Sequence, residues 1–288
     1  MNYSALIQNR KSVREFTGKK VPATALAVIG AYYQNFCNRL VPELETKLCV
    51  FGEEAREALE GAAGYENYLV GAPNYLVLLS AKGDLAGENA GFIMEDMVLK
   101  LTDMELSCCW LTFTDSEKVK AALAIDSPLD VAAIVAFGQG VRTTKRLRVN
   151  VLSMSNVDVS AQRQYFAPKR GIHDMVFMDT WGNCDGVDTY IGFYDDMLWE
   201  AFYATTLSPS YLNRQPYGFI IHQGEIILVK APDSYTGEID AKLGLGIVLL
   251  HFSCTAAQWA GKIDWNFGAD VAKIHLPEGY EAVVSCKV

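Results

Sequence analysis

The same order of elements is written twice along this chain, and that repetition narrows its possible folds more than any single motif does. In the first half, a short helix over 3–10 and an extended stretch over 11–16 lead to a helix opened by Pro22 and reaching about Arg39, with Ala23, Leu26, Ala27 and Ile29 on the helical period. A strand at Lys47–Phe51, a polar helix through Leu59 and a strand at Tyr75–Leu79 follow. A long buried helix then runs from Glu88 to Leu106, with Ala90, Ile93, Met94, Met97, Leu101 and Met104 on one stripe. Asp115 caps a shorter helix, and Asp130–Phe137 reads as a fully apolar strand. In the second half, an amphipathic helix over Asp195–Thr206 precedes a hairpin of Phe219–Ile221 and Ile226–Val229 around Gln223-Gly224. An apolar helix around Ile239–Gln258 and strands near 271–275 and 281–286 complete it. Asp130-Val-Ala-Ala-Ile134 and Asp270-Val-Ala-Lys-Ile274 give the halves a nearly common string. The pattern predicts an α+β chain made by tandem duplication, with halves 1–150 and 151–288 forming one body, joined through a less regular stretch at 145–195.

Length and charge exclude several alternatives. At 288 residues the chain has room for about two domains or one large one. Half of its residues are hydrophobic and 11% aromatic, which rules out a disordered polymer. Its 34 acidic residues outweigh 25 basic ones, for a net charge of −9, so nothing draws it to nucleic acid in general. The basic residues nevertheless cluster, as Arg10, Lys11, Arg14, Lys19 and Lys20 and again as Arg142, Lys145, Arg146 and Arg148. Local positive charge on an acidic protein suits a small anionic ligand, or a solvated surface patch. Seven cysteines make an odd set, and adjacent Cys108-Cys109 cannot supply a CxxC site. Charges stand where a signal peptide needs its apolar stretch, and the apolar run near Leu243–Cys254 is shorter than the ~20 residues of a membrane span. The expectation is a cytoplasmic protein with no membrane or nucleic-acid partner. The histidines at 173, 222, 251 and 275 show no metal-ligand spacing, and Gly244-x-Gly246 lacks the rest of a dinucleotide fingerprint. Ser208 and Ser210 with His222 could serve a hydrolase, but no glycine-flanked nucleophile elbow surrounds either serine.

Two stretches carry more specific chemistry. In Arg10-Lys-Ser-Val-Arg14, an extended backbone puts Arg10, Ser12 and Arg14 on one face and Val13 on the other. Guanidinium forks match phosphate oxygens, so the run is a candidate phosphate cradle with an apolar anchor behind it. In Ser208-Pro-Ser-Tyr-Leu-Asn-Arg-Gln-Pro-Tyr217, the Asn and Gln amides each offer a donor and an acceptor on a proline-fixed backbone. Such groups can read a heterocycle with alternating carbonyls and ring nitrogens; the same residues also suit a polar turn.

Together these stretches resemble the flavin-dependent nitroreductase family. The R-R-S-x-R run of that family is matched by Arg10–Arg14, and its P-S-x-x-N-x-Q-P-W loop by Pro209–Tyr217. Leu106-Ser-Cys-Cys-Trp110 is similar to the segment that follows its long helix, and Leu245–Phe252 to a second-half pattern of the fused, TM-type branch. The resemblance implies a nitroreductase-like α+β fold whose two halves intertwine as a pseudo-dimer, with mixed β-sheets flanked by helices. It implies a monomer holding one FMN, because the first half lacks the N-x-Q-P loop and offers only Asn35-Phe-Cys-Asn-Arg39. Arg10, Lys11, Ser12 and Arg14 would hold the phosphate, ribityl chain and pyrimidine edge, with Arg14 stabilising the anionic N1–O2 edge. Pro209, Ser210, Asn213 and Gln215 would meet the flavin from the other half. The backbone at Trp110, Leu111 and Thr112 would approach N5, and Lys145 and Arg146 match basic residues near the phosphate. Lys11, Tyr217 and Cys108-Cys109 depart from the family's usual Arg or His, Trp, and Thr-Cys. The implied activity passes hydride from NAD(P)H through N5 to a nitroaromatic, quinone or similar acceptor. A non-enzymatic flavin store, a dehalogenase and a flavin-dependent oxidase remain the alternatives.

Overall fold

The computed structural model describes residues 1–65, 68–141, 145–153, 156–163, 167–194, 196–268 and 274–288, and of these 145–148, 150–153, 156 and 161–163 as backbone. In chain order the elements are α1 (Tyr3–Asn9), α2 (Ala23–Asn35), β1 (Thr46–Phe51), α3 (Ala55–Leu59), β2 (Asn74–Ser80), α4 (Ala86–Asp103), β3 (Ser107–Leu111), α5 (Ser116–Ala122), β4 (Asp130–Gly138), β5 (Lys145–Ser153) and β6 (Asn156–Arg163). Then come β7 (Val176–Met178), α6 (Val187–Gly192), α7 (Met197–Thr206), β8 (Tyr217–His222), β9 (Glu225–Lys230), α8 (Glu238–Ala260), β10 (Asn266–Phe267) and β11 (Glu281–Cys286). Two compact units result: Asn9–Ala167 with Met1, and Pro168–Val288 with Asn2–Gln8.

The first unit is built on a sheet ordered β1-β2-β4-β3, antiparallel throughout. All of β2 is buried, as its unbroken Tyr-Leu-Val-Leu-Leu run requires. Helix α4 packs on β2, β3 and β4, and its Ile93, Met94, Met97, Val98, Leu99 and Leu101 are all fully buried. Each such side chain contributes ~1.5–3 kcal/mol, which holds the helix to the sheet. Asp115 caps α5, accepting from the amides of Glu117 and Lys118. Helix α2 stops at Asn35, short of the predicted Arg39, because buried polar groups on α4 take the backbone beyond it. Asp96 accepts from the Asn38 amide at 2.7 Å, and Asn89 accepts from the amides of Leu40 and Val41 at 3.0 Å each. Strands β5 and β6 form a separate antiparallel hairpin in the stretch predicted to be irregular.

The second unit carries a mixed sheet, β10-β11-β9-β8-β7, in which only β7 runs parallel to its neighbour. Gln223 at φ 50° and Gly224 at φ 80° make the tight turn of the predicted hairpin. Helix α8 is apolar on every side, and the rings of Phe202, Phe219, Phe252 and Trp265 tie it to α7 and β8 at centroid spacings of 5.4–5.7 Å. At 23 residues, α8 exceeds the predicted apolar run and is long and apolar enough to cross a membrane; 72% of its most apolar window is buried inside the fold, as in a core helix.

The two sheets repeat one ladder. Thr46, Ser80 and Asp130 form a row across β1, β2 and β4, and Tyr217, Lys230 and Glu281 form the matching row across β8, β9 and β11. One step further in, β4 and β11 each bulge: Ala132 is skipped opposite Leu78 and Leu79, and Val283 opposite Leu228 and Val229. A shared bulge at a shared rung is a stronger mark of duplication than a shared apolar string, because it fixes register. It also makes β11 the counterpart of β4, displacing the segment at Asp270. Residues 269–273 lie outside the described residues, as does Asp195, and Ile274 and His275 are not in a strand.

Candidate functional site

The basic run lies extended along the edge of the first sheet. Ser12 bridges to Cys108 in parallel, the Val13 amide donates to the Cys108 carbonyl at 2.8 Å, and the Thr17 amide to Gln139 at 2.8 Å. The predicted alternation is present in its anchor: Val13 abuts Gly140, whose added Cβ would stand 3.0 Å from Val13 Cγ1. Lys11 is exposed, while Arg10, Ser12 and Arg14 are partly covered.

Arg10 reaches α4. Its Nε lies 3.5 Å from Glu95 Oε1, with side chains 7% and 0% exposed. Trp110 Nε1 donates to Glu95 Oε2 at 3.0 Å, so one carboxylate joins the run to β3. The Arg10–Glu95 contact is an ion pair only: neither the buried Nε nor the buried Nη1 of Arg10 has a hydrogen-bond partner among the described residues. Arg14 bonds to the phenol of Tyr65; burial pulls its basicity down, and nearby Cys109, Tyr65 and Tyr68 lift it above the ordinary arginine value. Burial pushes the Cys108 thiol up to about 12 against the pull of Arg10, and raises that of Cys109 against Arg14 and Arg10. The thiols therefore stay neutral beside the guanidiniums. Leu111 is buried, and the Thr112 carbonyl accepts from the Gly64 amide at 2.8 Å, docking Gly64 against the end of β3. Gly64 stands at φ 111° with its Cβ position 2.5 Å from the Tyr68 carbonyl, so only glycine fits. The side chains of Lys145 and Arg146 lie outside the described residues, as do Arg142 and the side chain of Arg148.

The Ser208–Tyr217 loop belongs to the second unit. Leu212, Asn213 and Gln215 adopt left-handed backbone angles, φ 49°, 58° and 48°, a concentration of strain that the surroundings must hold in place. Gln215 is 1% exposed: its Nε2 donates to Thr206 at 2.8 Å, its Oε1 accepts from the Arg170 amide at 3.1 Å, and its own amide donates to Ser210 Oγ at 2.9 Å. Arg170 Nη1 donates to the carbonyls of Gln215 and Tyr217, Lys169 Nζ to that of Ser208, and Asn213 Nδ2 to that of Pro168. Pro209 is buried and Ser210 half-buried. Arg214 is anchored outward, pairing with Asp233 at 2.8 Å and lying 4.7 Å over the Tyr235 ring.

Arg10, Ser12, Arg14 and Trp110 thus converge in the first unit, and Pro209, Ser210, Asn213 and Gln215 in one loop of the second. Sequence reasoning missed Glu95, Tyr65, Tyr68, Lys169 and Arg170. For Glu95 a signal existed, since Glu95-Asp96 interrupts an otherwise apolar stretch of α4. The hydrolase arrangement does not form: His222 pairs with Asp179 at 2.8 Å, while Ser208 Oγ lies 2.9 Å from Nδ1 of buried His251, which also bonds the Ala204 carbonyl. No cluster able to hold a metal occurs among the described residues.

Residues 2–170 match the model of a family described as "Putative TM nitroreductase". The chain is similar in structure to a putative nitroreductase from Thermotoga maritima, with 21% identity, a TM-score of 0.59, and 99% of this chain and 93% of that one covered. Two half-chain likenesses are an FMN-dependent nitroreductase from Clostridium difficile (17% identity, TM-score 0.42, 49% and 89% covered) and a putative nitroreductase in complex with FMN from Desulfovibrio desulfuricans (19%, 0.42, 49% and 88%). No curated protein matches the chain.

Proposed function

The chain belongs to the TM nitroreductase family, and from that membership we propose that it is an FMN-dependent oxidoreductase drawing hydride from NAD(P)H and delivering it to a nitroaromatic, quinone or similar small acceptor. The observation that carries the reading is Arg10, a buried guanidinium whose Nη1 lacks a hydrogen-bond partner among the described residues and so fits a ligand oxygen. FMN, when bound, supplies reversible hydride chemistry at N5.

The chain's own residues would bind and orient. Arg10 and Ser12 hold the phosphate end, with Lys11 contributing charge from an exposed position. Arg14, kept positively charged, is the donor for the N1–O2 edge, where negative charge collects on reduction. Trp110, Leu111 and Thr112 offer backbone toward N5, and Lys145 and Arg146 add positive charge to the phosphate. In the second half (151–288), Pro209, Ser210, Asn213 and Gln215 supply a rigid, strained loop. Gln215 acts by tying that loop down, since both ends of its amide are engaged outside it, by the Thr206 carbonyl and the Arg170 amide. The reading makes the protein a cytoplasmic monomer, consistent with seven free thiols.

Steady-state oxidation of NADH and NADPH with a nitroaromatic or quinone tests the activity. Turnover with either nucleotide is expected, and bound flavin that stays oxidised under anaerobic excess of both would exclude the mechanism. Arg10→Ala combined with Asn213→Ala should abolish flavin retention; full retention would sink the assignment of both stretches.

A further inference from the structure

The ladder that relates the two halves also relates two tryptophans. Leu111 pairs with Ile134 and Asn266 with Ser285, equivalent rungs of the two sheets, so Trp110 and Trp265 occupy the same place. Each indole N–H is bonded to the long helix of its own unit. Trp265 Nε1 donates to Ser253 Oγ at 2.9 Å, and Trp110 Nε1 to Glu95 Oε2 at 3.0 Å.

In the second unit a neutral hydroxyl is enough to hold the tryptophan. In the first, the same task is given to a carboxylate with no exposure, whose desolvation is costly unless it is compensated. The compensation comes from Arg10, paired through Nε to the other carboxylate oxygen. This ion pair holds the guanidinium from its Nε side without a hydrogen bond there, and leaves both buried Nε and Nη1 without a hydrogen-bond partner among the described residues. Glutamine at position 95 could not reproduce it. Arg10 and Trp110 face different carboxylate oxygens, so in glutamine the amide oxygen would meet one of them and the NH2, a donor, would face the other.

We propose that Glu95 is a positioning residue for cofactor recognition: it aims Arg10 at the phosphate group, giving the site its preference for a phosphorylated flavin over the bare isoalloxazine-ribityl moiety. The inference rests on the FMN reading above. Because Glu95 offsets the charge of Arg10, the selectivity it confers is directional, coming from an aimed donor rather than from net positive charge.

The test is titration of flavin-free protein with FMN and, separately, riboflavin, followed by quenching of flavin fluorescence. Wild type should bind FMN more tightly than riboflavin. Glu95→Gln should weaken FMN about tenfold while changing riboflavin by less than about twofold. Ser253→Ala, the same loss at the twin position, should leave the FMN-to-riboflavin ratio unchanged. If Glu95→Gln fails to fold, Glu95→Asp keeps both oxygens at shorter reach and should show a smaller loss with the same selectivity. An equal loss of both ligands, or an unchanged or tightened FMN affinity, would mean that Glu95 is only a structural anchor for Trp110. Wild-type protein binding neither flavin would overturn the FMN reading itself, a different result from an unselective variant.

Discussion

Cys108 and Cys109 stand next to each other in β3, and both thiols are raised by burial against the pull of nearby arginines, Cys108 to about 12. Cys286 is raised in the same way, by burial and then by Glu225. A thiol released by unfolding ionises near 9.0, while the folded one holds its proton. Unfolding therefore releases protons above pH 9, and the stability these residues contribute is intact below 9 and lost as pH climbs toward 12. Denaturation midpoints in urea should be level up to about pH 8.5 and fall steadily above 9; a level profile to pH 11 would show the thiols to be solvated. Exposed Cys184 should be alkylated in the native state, and Cys108 and Cys109 only on unfolding. Gln215 offers a second check. Gln215→Ala removes one buried and one part-buried hydrogen bond and slackens the strained turn, at an expected loss of ~2 kcal/mol in unfolding free energy.

The extended segment from Arg10 to Thr17 is placed by its neighbours more than by its own sequence. It is stitched to β3 at Ser12 and to the end of β4 at Phe16, and Val13 rests on the bare backbone of Gly140. A side chain at Gly140 would meet Ser107 Oγ at 2.5 Å as well as Val13. Gly140→Val should lever the run off the sheet edge, costing about 1–3 kcal/mol in stability and lowering flavin affinity; an unchanged affinity would separate the run from ligand binding. The sequence made β2, α4, α8 and the β8–β9 hairpin readable because burial on several faces writes long apolar runs and a tight turn demands Gln-Gly-like chemistry. It hid the end of α2, where Asp96 and Asn89 on a distant helix capture the backbone. It also hid β5, whose alternating Leu147, Val149 and Val151 are interleaved with basic residues. Glu95 stood out as a charge within an apolar stretch, but its pairing with Arg10 could not be read: the two lie far apart along the chain, and only the folded first unit brings them together.

For the molecule as a whole, duplication was the right expectation drawn partly from the wrong evidence. The Asp-Val-Ala strings do not correspond, whereas the row Thr46–Ser80–Asp130 and its bulge recur at Tyr217–Lys230–Glu281. Apolar strings recur by chance; a skipped residue at one rung does not. The halves have diverged in their chemistry, with Glu95 against Ser253 and a strained Asn-Arg-Gln loop only in the second, so one functional centre per duplicated chain is expected. Flavin released by denaturing purified protein, quantified per chain, should approach one FMN; two would show that the second Trp-centred site still works. The assignment of Asn2–Gln8 to the second unit reaches further than a boundary. Ile7 is 2% exposed, and Gln258 Nε2 near the end of α8 donates to Ser4 Oγ at 2.8 Å. A protease nick just before Arg10 would leave the first unit's sequence almost whole and strip a wall from the second, and a gene split after Ala167 would orphan both fragments. Residues 2–8 act as a clasp on the end of α8, so damage done there is felt in the second unit.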